Sequence, residues 1–241
     1  MPDTLSLAGK TALVTGSGRE TGIGAAIARA LARNGASVAI HYVSEGSKAR
    51  AEKVALDINK EFGTKTTVVQ GGVENYDTAK NMVEQILKAF INNAAAARNT
   101  PLLEVKAEQL EYEFAVNVFG VIYMTQAVVG VGRMPQGGRI VNIGSIASKI
   151  LVPPPLDKSR GITVNTLAPG PVPTDMSKAY LVAADGSPTA LQISMYEQTR
   201  AANRLGSVED LADATLLLVS EKSRWITAQF ISVDGGVTGT M

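Results

Sequence analysis

The 241-residue chain contains no cysteine and a single histidine, His41. Without thiols it forms neither a disulfide framework nor a thiolate metal site, and one imidazole excludes a histidine cluster and the usual Ser-His-Asp triad. Any chemistry here must use other groups. An excess of charge of either sign is missing too: 23 Lys and Arg stand against 22 Asp and Glu, a formal net charge of +1. That balance gives no electrostatic reason to bind nucleic acid or an anionic membrane, so a small metabolite is the expected partner. The N-terminal stretch MPDTLSLAGK has no basic segment leading into a long apolar run, and no window is expected to reach the length of a membrane span. A soluble, cytoplasmic protein is the expectation. Internal repeats, low-complexity tracts and linkers are absent, and the length suits one α/β domain over residues 1–241.

What is present is organised around Lys10 to Ala30, KTALVTGSGRETGIGAAIARA. Thr11 to Thr15 reads as a short buried strand. Gly16, Gly18, Gly22 and Gly24 follow, and an Ala-rich helix resumes with Ile23, Ile27, Ala30 and Leu31 at helical spacing. Strand, glycine-rich turn and helix start make a phosphate cradle: glycines allow positive φ and close backbone approach, and the helix end offers free N–H groups to an anion. The turn departs from a plain G-x-G-x-x-G, because Arg19, Glu20 and Thr21 lengthen it before Gly22-Ile23-Gly24. Taken alone such a turn is also an ordinary βα connection.

The rest of the chain continues the alternation. ASVAIHY from Ala36 reads as a strand, and the following helix buries Ala51, Val54, Ala55 and Ile58 before Gly63 ends it. A third strand, Lys65 to Gln70, leads through Gly71-Gly72 into a helix expected over AKNMVEQILKAF. This order implies a single doubly wound parallel sheet flanked by helices, a Rossmann-type α/β fold whose ligand lies at the carboxyl ends of the strands. At the end of the second strand, where an acidic side chain would bind a ribose 2′-OH, the sequence is His41-Tyr42-Val43-Ser44, and Arg19 supplies a cation. Both features favour NADP(H) over NAD(H). Arg19 also reads as a solvated loop charge and His41 as a strand-end surface residue. Asn117, inside a long apolar helix from Ala107, reads equally as a structural and a functional polar group. Ser145 closes the strand Gly138 to Ile143 and is also a plausible turn residue or helix cap. A Pro/Gly loop runs from Pro169 to Asp175, and the stretch at about 175–204 reads as a mobile excursion covering the substrate. Met176, Leu181, Met195 and Tyr196 in it suit an apolar ligand and core packing equally. Ser207 and Asp210 stand at capping-box spacing.

Taken together, TGSGRETGIG, NNAA from Asn92 to Ala95, Asn117, Ser145, PGPVPT from Pro169 to Thr174 and VDGG from Val233 to Gly236 resemble the short-chain dehydrogenase/reductase family along nearly the whole chain. The mix is most similar to fungal-type NADPH-dependent naphthol and versicolorin ketone reductases. The resemblance implies reduction of a ketone or related carbonyl on a small cyclic or aromatic metabolite, of the kind made in secondary metabolism. It implies that Gly16, Ser17, Thr21, Gly22, Ile23 and Gly24 hold the adenosine phosphates, while Arg19, His41 and Ser44 serve the 2′-phosphate end. Val73 would lie by the adenine, Asn92 and Ala94 by the ribose and nicotinamide side, and Pro169, Gly170, Val172 and Thr174 by the carboxamide. Ser145 would hydrogen-bond the substrate oxygen, and Asn117 would help hold a proton-relay water. A homodimer or homotetramer through the Asn117 helix is implied as well.

The departures are as informative. The family's proton-donating Tyr and the Lys four residues later are missing, and LVPPP runs straight into LDKSRGITVN, roughly twenty residues short near Pro155-Leu156 by family pattern, on the order of a βαβ crossover. By family pattern about half a dozen residues are also missing where KAF joins INNAA, enough to remove most of one central strand. The only Tyr-x-x-x-Lys, Tyr76 to Lys80, opens the helix after the third strand and is a coincidence of spacing. Gly72 and Ala95 replace residues that ordinarily support the cofactor. Either the natural protein carries both missing segments, or the chain is this short and a cofactor-binding scaffold or a ring-closing protein on the same fold is the alternative.

Overall fold

A computed structural model describes residues 5–84, 89–98, 100, 104–144, 161–177 and 181–238. Seven parallel strands form one sheet in the order β3-β2-β1-β4-β5-β6-β7. They are β1 Thr11–Val14, β2 Ser37–Tyr42, β3 Thr66–Gln70, β4 Ala89–Asn92, β5 Arg139–Ile143, β6 Thr163–Pro169 and β7 Phe230–Val233. The helices are α1 Ile23–Arg33, α2 Lys48–Phe62, α3 Tyr76–Glu84, α4 Ala107–Phe114, α5 Gly120–Val129, α6 Ala190–Gln198 and α7 Val208–Val219.

Because helices cover both faces of the sheet, its middle strands bury successive residues rather than alternate ones, as Ala12, Leu13 and Val14 of β1 do. Neighbouring residues divide between two cores. Val14, Ile40, Ile91 and Val141 meet α1, α2 and α7 through Ile27, Leu31, Val54, Ile58 and Leu216. Leu13, Ala39, Phe90 and Ile140 meet α3 and α5 through Met82, Val83 and Met124. Ile27 and Leu31, one helical turn apart, are both fully buried, each contributing about 1.5–3 kcal/mol by leaving water. Gly63 ends α2 in the left-handed region at φ 67°, and Ser207 with Asp210 forms the expected capping box on α7.

Two expectations are corrected. The central strand is not lost: β4 takes Ala89 and Phe90 from the stretch expected to be helical, while α3 is described over Tyr76–Glu84. The physical reason is the demand of its neighbours. Ala12, Leu13 and Val14 pair with Ala89, Phe90 and Ile91, which also pair with Arg139, Ile140 and Val141. Leaving two central strands without a partner would strand buried N–H and C=O groups, a larger cost than two residues of helix propensity. The second correction concerns apolar length. Helix Ala107–Val129, 23 residues containing an 18-residue window of mean hydropathy 1.2, is long and apolar enough by length and composition to cross a membrane. In this fold its α5 half packs on α3 instead.

The excursion holds an isolated bridge between Val182 and Pro188 and then α6, capped by the Thr189 side chain. Leu181, offered to a ligand on sequence grounds, is fully buried. The Pro155-Leu156 join and Ser145 lie outside the described residues.

Candidate functional site

The carboxyl ends of the strands open on a cleft of about 750 Å³, a volume suited to a dinucleotide or a drug-sized ligand. At its floor β1 is followed by Thr15, whose Oγ1 donates to Ile91 O at 3.3 Å and accepts from the N–H groups of Asn93 and Ala94, each at 2.9 Å. The Asn93 amide donates to Thr15 O at 2.9 Å. Gly16 then turns through φ 65°, with Ala94 so near that a Cβ would meet its Cα at 2.9 Å. At Gly24 a Cβ would meet Asn93 Nδ2 at 2.5 Å and Gly16 O at 2.7 Å, so the helix start is seated directly on the floor.

Gly22 differs. It is the N-cap of α1 in extended conformation, with no side-chain cap and no acidic residue in the first turn. A Cβ there would approach only Arg19, at 3.4 Å or more. The uncapped amides, the positive end of the helix dipole and open space above Gly22 fit a pyrophosphate. Arg19 and, from the first turn of α2, Arg50 line the same end of the cleft with Ser44 and Ser47. Neither guanidinium has an ion-pair partner among the described residues, whereas neighbouring Glu20 is bound by Lys53 at 2.6 Å. No carboxylate stands on the last residues of β2, so the donor set suits a 2′-phosphate.

Of the two readings of His41, that of a strand-end surface residue fails: it lies at the cleft and is 1% exposed. Gly16 N–H donates to Nδ1 at 2.9 Å, and Nε2–H donates to Gly71 O at 2.8 Å. Burial holds its pKa below the ordinary imidazole value, outweighing the opposing pull of the Gly71 carbonyl and Glu74. The backbone is engaged as well, with His41 N–H donating to Ser17 Oγ at 3.0 Å and Gly18 N–H donating to His41 O at 3.1 Å.

At the far end, Pro169, Gly170, Val172 and Thr174 line the cleft as expected from sequence. Ser177 shapes this turn: Thr174 N–H donates to its Oγ at 2.8 Å, and that hydroxyl donates to Val172 O at 2.6 Å. Asp234 supports it from below, and a Cβ on Gly170 would meet Asp234 Cα at 2.7 Å.

Of the other sequence candidates, Gly16, Gly18, Thr21, Ile23, Val73 and Ala94 line the cleft. Three do not. Ser17 is buried and donates to Val14 O at 2.7 Å, so it braces the loop. Asn92 is 5% exposed and donates to Asn142 Oδ1 at 2.8 Å, tying β4 to β5. Asn117 lies in a π-helical turn, Ala115–Phe119, between α4 and α5; both ends of its amide are taken by the Ala96 backbone, at 2.9 and 2.7 Å. It positions the Ala94–Ala97 wall of the cleft, and π turns of this kind concentrate at functional sites. The described chain reaches the cleft at Gly144, one residue before Ser145. Sequence reasoning missed Asn93 and Arg50. Placing the strand end at Asn92 would have sent the next residue into the ligand-bearing edge, and Arg50 sits in the first turn of the helix that follows β2.

The sheet order, glycine turn and cleft define a dinucleotide-binding oxidoreductase fold. The chain belongs to the short-chain dehydrogenase/reductase family: residues 10–154 match the family described as short chain dehydrogenase, and 157–238 the one described as enoyl-(acyl carrier protein) reductase. The 3-oxoacyl-[acyl-carrier-protein] reductase FabG of Staphylococcus epidermidis is 32% identical over 253 residues, covering 95% of this chain and 98% of that protein. A short chain dehydrogenase from Burkholderia cenocepacia in complex with NADP is 31% identical with a TM-score of 0.80, covering 97% and 99% of the two chains. The promiscuous reductase LugOII, which catalyses keto-reduction at C1 during lugdunomycin biosynthesis, is 31% identical with a TM-score of 0.77 over 96% and 98%. The alignment to the Staphylococcus reductase is longer than the chain itself, so that protein has residues at positions where this one has none. The handover between the two family matches falls at residues 155–156, where the sequence suggests a gap. This is an NADP-dependent short-chain dehydrogenase/reductase.

Proposed function

We propose that the protein reduces a ketone or related carbonyl of a small cyclic or aromatic metabolite with NADPH, as the naphthol and versicolorin reductases do. The observation that carries this reading is a cleft running from two guanidiniums without an ion-pair partner among the described residues, past an uncapped glycine turn, to the Val172–Thr174 shelf. Bound NADPH supplies the hydride. Arg19 and Arg50 would hold its 2′-phosphate, the Gly22 turn its pyrophosphate, and Val172 and Thr174 its carboxamide. Ser145 would hydrogen-bond the substrate oxygen, while Asn117 would act through the wall it holds. The segment at about 175–204 would cover the substrate, since Asp175, Met176 and Ser177 already border the cleft.

Reduction also needs a proton. No Tyr occurs between Tyr123 and Tyr180, so the stretch carrying Ser145 offers no phenol. That observation favours a second reading, a cofactor-binding scaffold or ring-closing protein without redox turnover. Incubation with NADPH and a panel of cyclic ketones decides between them: loss of reduced-nicotinamide absorbance supports the reductase, and tight NADPH binding with no turnover of any ketone supports the scaffold. A homodimer or homotetramer in the cytoplasm completes the proposal. Its interface would be the helix Ala107–Val129, which leaves Phe114 56% and Phe119 47% exposed.

A further inference from the structure

His41 commits all of its polar atoms to the two loops that bound the adenosine end of the cleft. Three consecutive residues, Gly16, Ser17 and Gly18, each bond to it, and its ring reaches across to Gly71 in the turn that carries Val73. We propose that His41 is a positioning residue: its neutral Nε2–H imidazole is a strut that fixes the glycine loop against the β3 turn, so that affinity for the NADP(H) phosphates depends on this ring.

The tautomer follows from the donors. Gly16 N–H can only donate, so Nδ1 must be the bare nitrogen and Nε2 carries the hydrogen for Gly71 O. A second proton on Nδ1 would set two N–H groups face to face. Gly16 must then back away, but Ala94 already packs against it, so the shift passes into Ser17, Gly18 and the turn above. Burial of the ring opposes that protonation. Among the surrounding charged groups, Glu74 of the β3 turn favours the cation, while Arg19 of the glycine loop and Arg50 of α2 line the same end of the cleft. The other neighbours of the ring, Gly16, Ser17, Gly18 and Gly71, carry no charge. The strut is an addition to the fold's phosphate cradle and rests on NADP(H) binding there.

Because His41 is the sole histidine, the ring signals of tag-free protein need no assignment. Nitrogen NMR of the ligand-free protein at pH 7.5 should show the Nε2–H tautomer. Calorimetric titration with NADP⁺ at pH 8 should show His41→Leu binding about ten-fold more weakly than wild type, and His41→Asn within about three-fold, because the Asn Oδ1 can accept from Gly16 without titrating. As the wild-type ring protonates, its Kd should rise relative to the Asn variant, a comparison that cancels titration of the ligand's own phosphate. A cationic or Nδ1–H ring at pH 7.5, or His41→Leu binding like wild type, overturns the strut. Absence of NADP⁺ binding by wild type at pH 8 overturns the cofactor assignment as well. If His41→Leu does not fold, shown by far-UV circular dichroism, the tautomer and the wild-type against Asn comparison decide alone.

Discussion

Gly22 and Gly24 lie two residues apart in one turn, yet they are glycine for different reasons, and a pair of alanine substitutions separates them. At Gly24 a new Cβ would sit 2.5 Å from Asn93 Nδ2, 2.7 Å from Gly16 O and 2.9 Å from Ser17 Cα, all closer than real Cβ contacts allow. Two of these are backbone atoms, so the clash resolves only by lifting α1 off the floor and breaking the Asn93 bonds. Overpacking of this sort costs about 1–3 kcal/mol, which lowers Tm by about 2–12 °C in a domain of this size. Gly22→Ala meets nothing closer than 3.4 Å at a backbone geometry, φ −90° and ψ 157°, that alanine adopts freely. The small loss of N-cap preference is offset by reduced freedom of the unfolded chain, leaving a net change of about 0.5 kcal/mol or less. The methyl group does, however, fill the space assigned to the pyrophosphate. Thermal melts paired with NADP⁺ titrations should show Gly24→Ala losing both stability and binding, and Gly22→Ala keeping its Tm within about 2 °C while binding at least ten-fold more weakly. Unchanged NADP⁺ affinity in Gly22→Ala would refute the placement of the phosphates over this residue.

Phe90→Ala should cost about 3–5 kcal/mol in urea unfolding, since the ring is fully buried in a central strand; a loss under about 1 kcal/mol would mean that residues 89–92 are not that strand. Arg19→Ala and Arg50→Ala should each weaken NADP⁺ binding about ten-fold while leaving NAD⁺ within about two-fold, read by calorimetry with both dinucleotides. Asp210 is held at about 2 chiefly by the Arg204 guanidinium, against a partly buried setting and with help from Ser207 N–H. A depressed carboxylate stabilises the fold above its unfolded value of 3.8 and loses that contribution as pH falls through about 2. Asp210→Ala should therefore lower Tm at pH 7 by the equivalent of about 1 kcal/mol, mostly through the capping box because the pair is solvent-exposed, with the difference from wild type shrinking below pH 4.

The order of elements was legible because both sheet faces are covered: apolar runs separated by helices with buried Ala51, Val54, Ala55 and Ile58 admit little else. The glycine turn was legible for its local chemistry. Phe90 was not, because an apolar residue after Lys88 continues a helical period as well as it begins a strand, and only the demand of β1 and β5 for a partner decides. The surface reading of His41 failed for a related reason. Its burial comes from a turn thirty residues later folding over it, which no local pattern encodes. Asn92 and Asn93 show the limit at single-residue resolution: the pair was found, but one residue of register sends Asn92 into the sheet and Asn93 to the cleft.

The reassignment of Ala89 and Phe90 also bears on how this scaffold tolerates editing. Pairing on both sides pins β4 to a fixed datum, so the register of its ligand-bearing end is set by β1 and β5 rather than by the length of chain before Ala89. Asn93 and Ala94 consequently keep their station under the glycine turn. Any change of length in the connection before Ala89 is thereby separated from the grip on a nucleotide by a strand held along both edges.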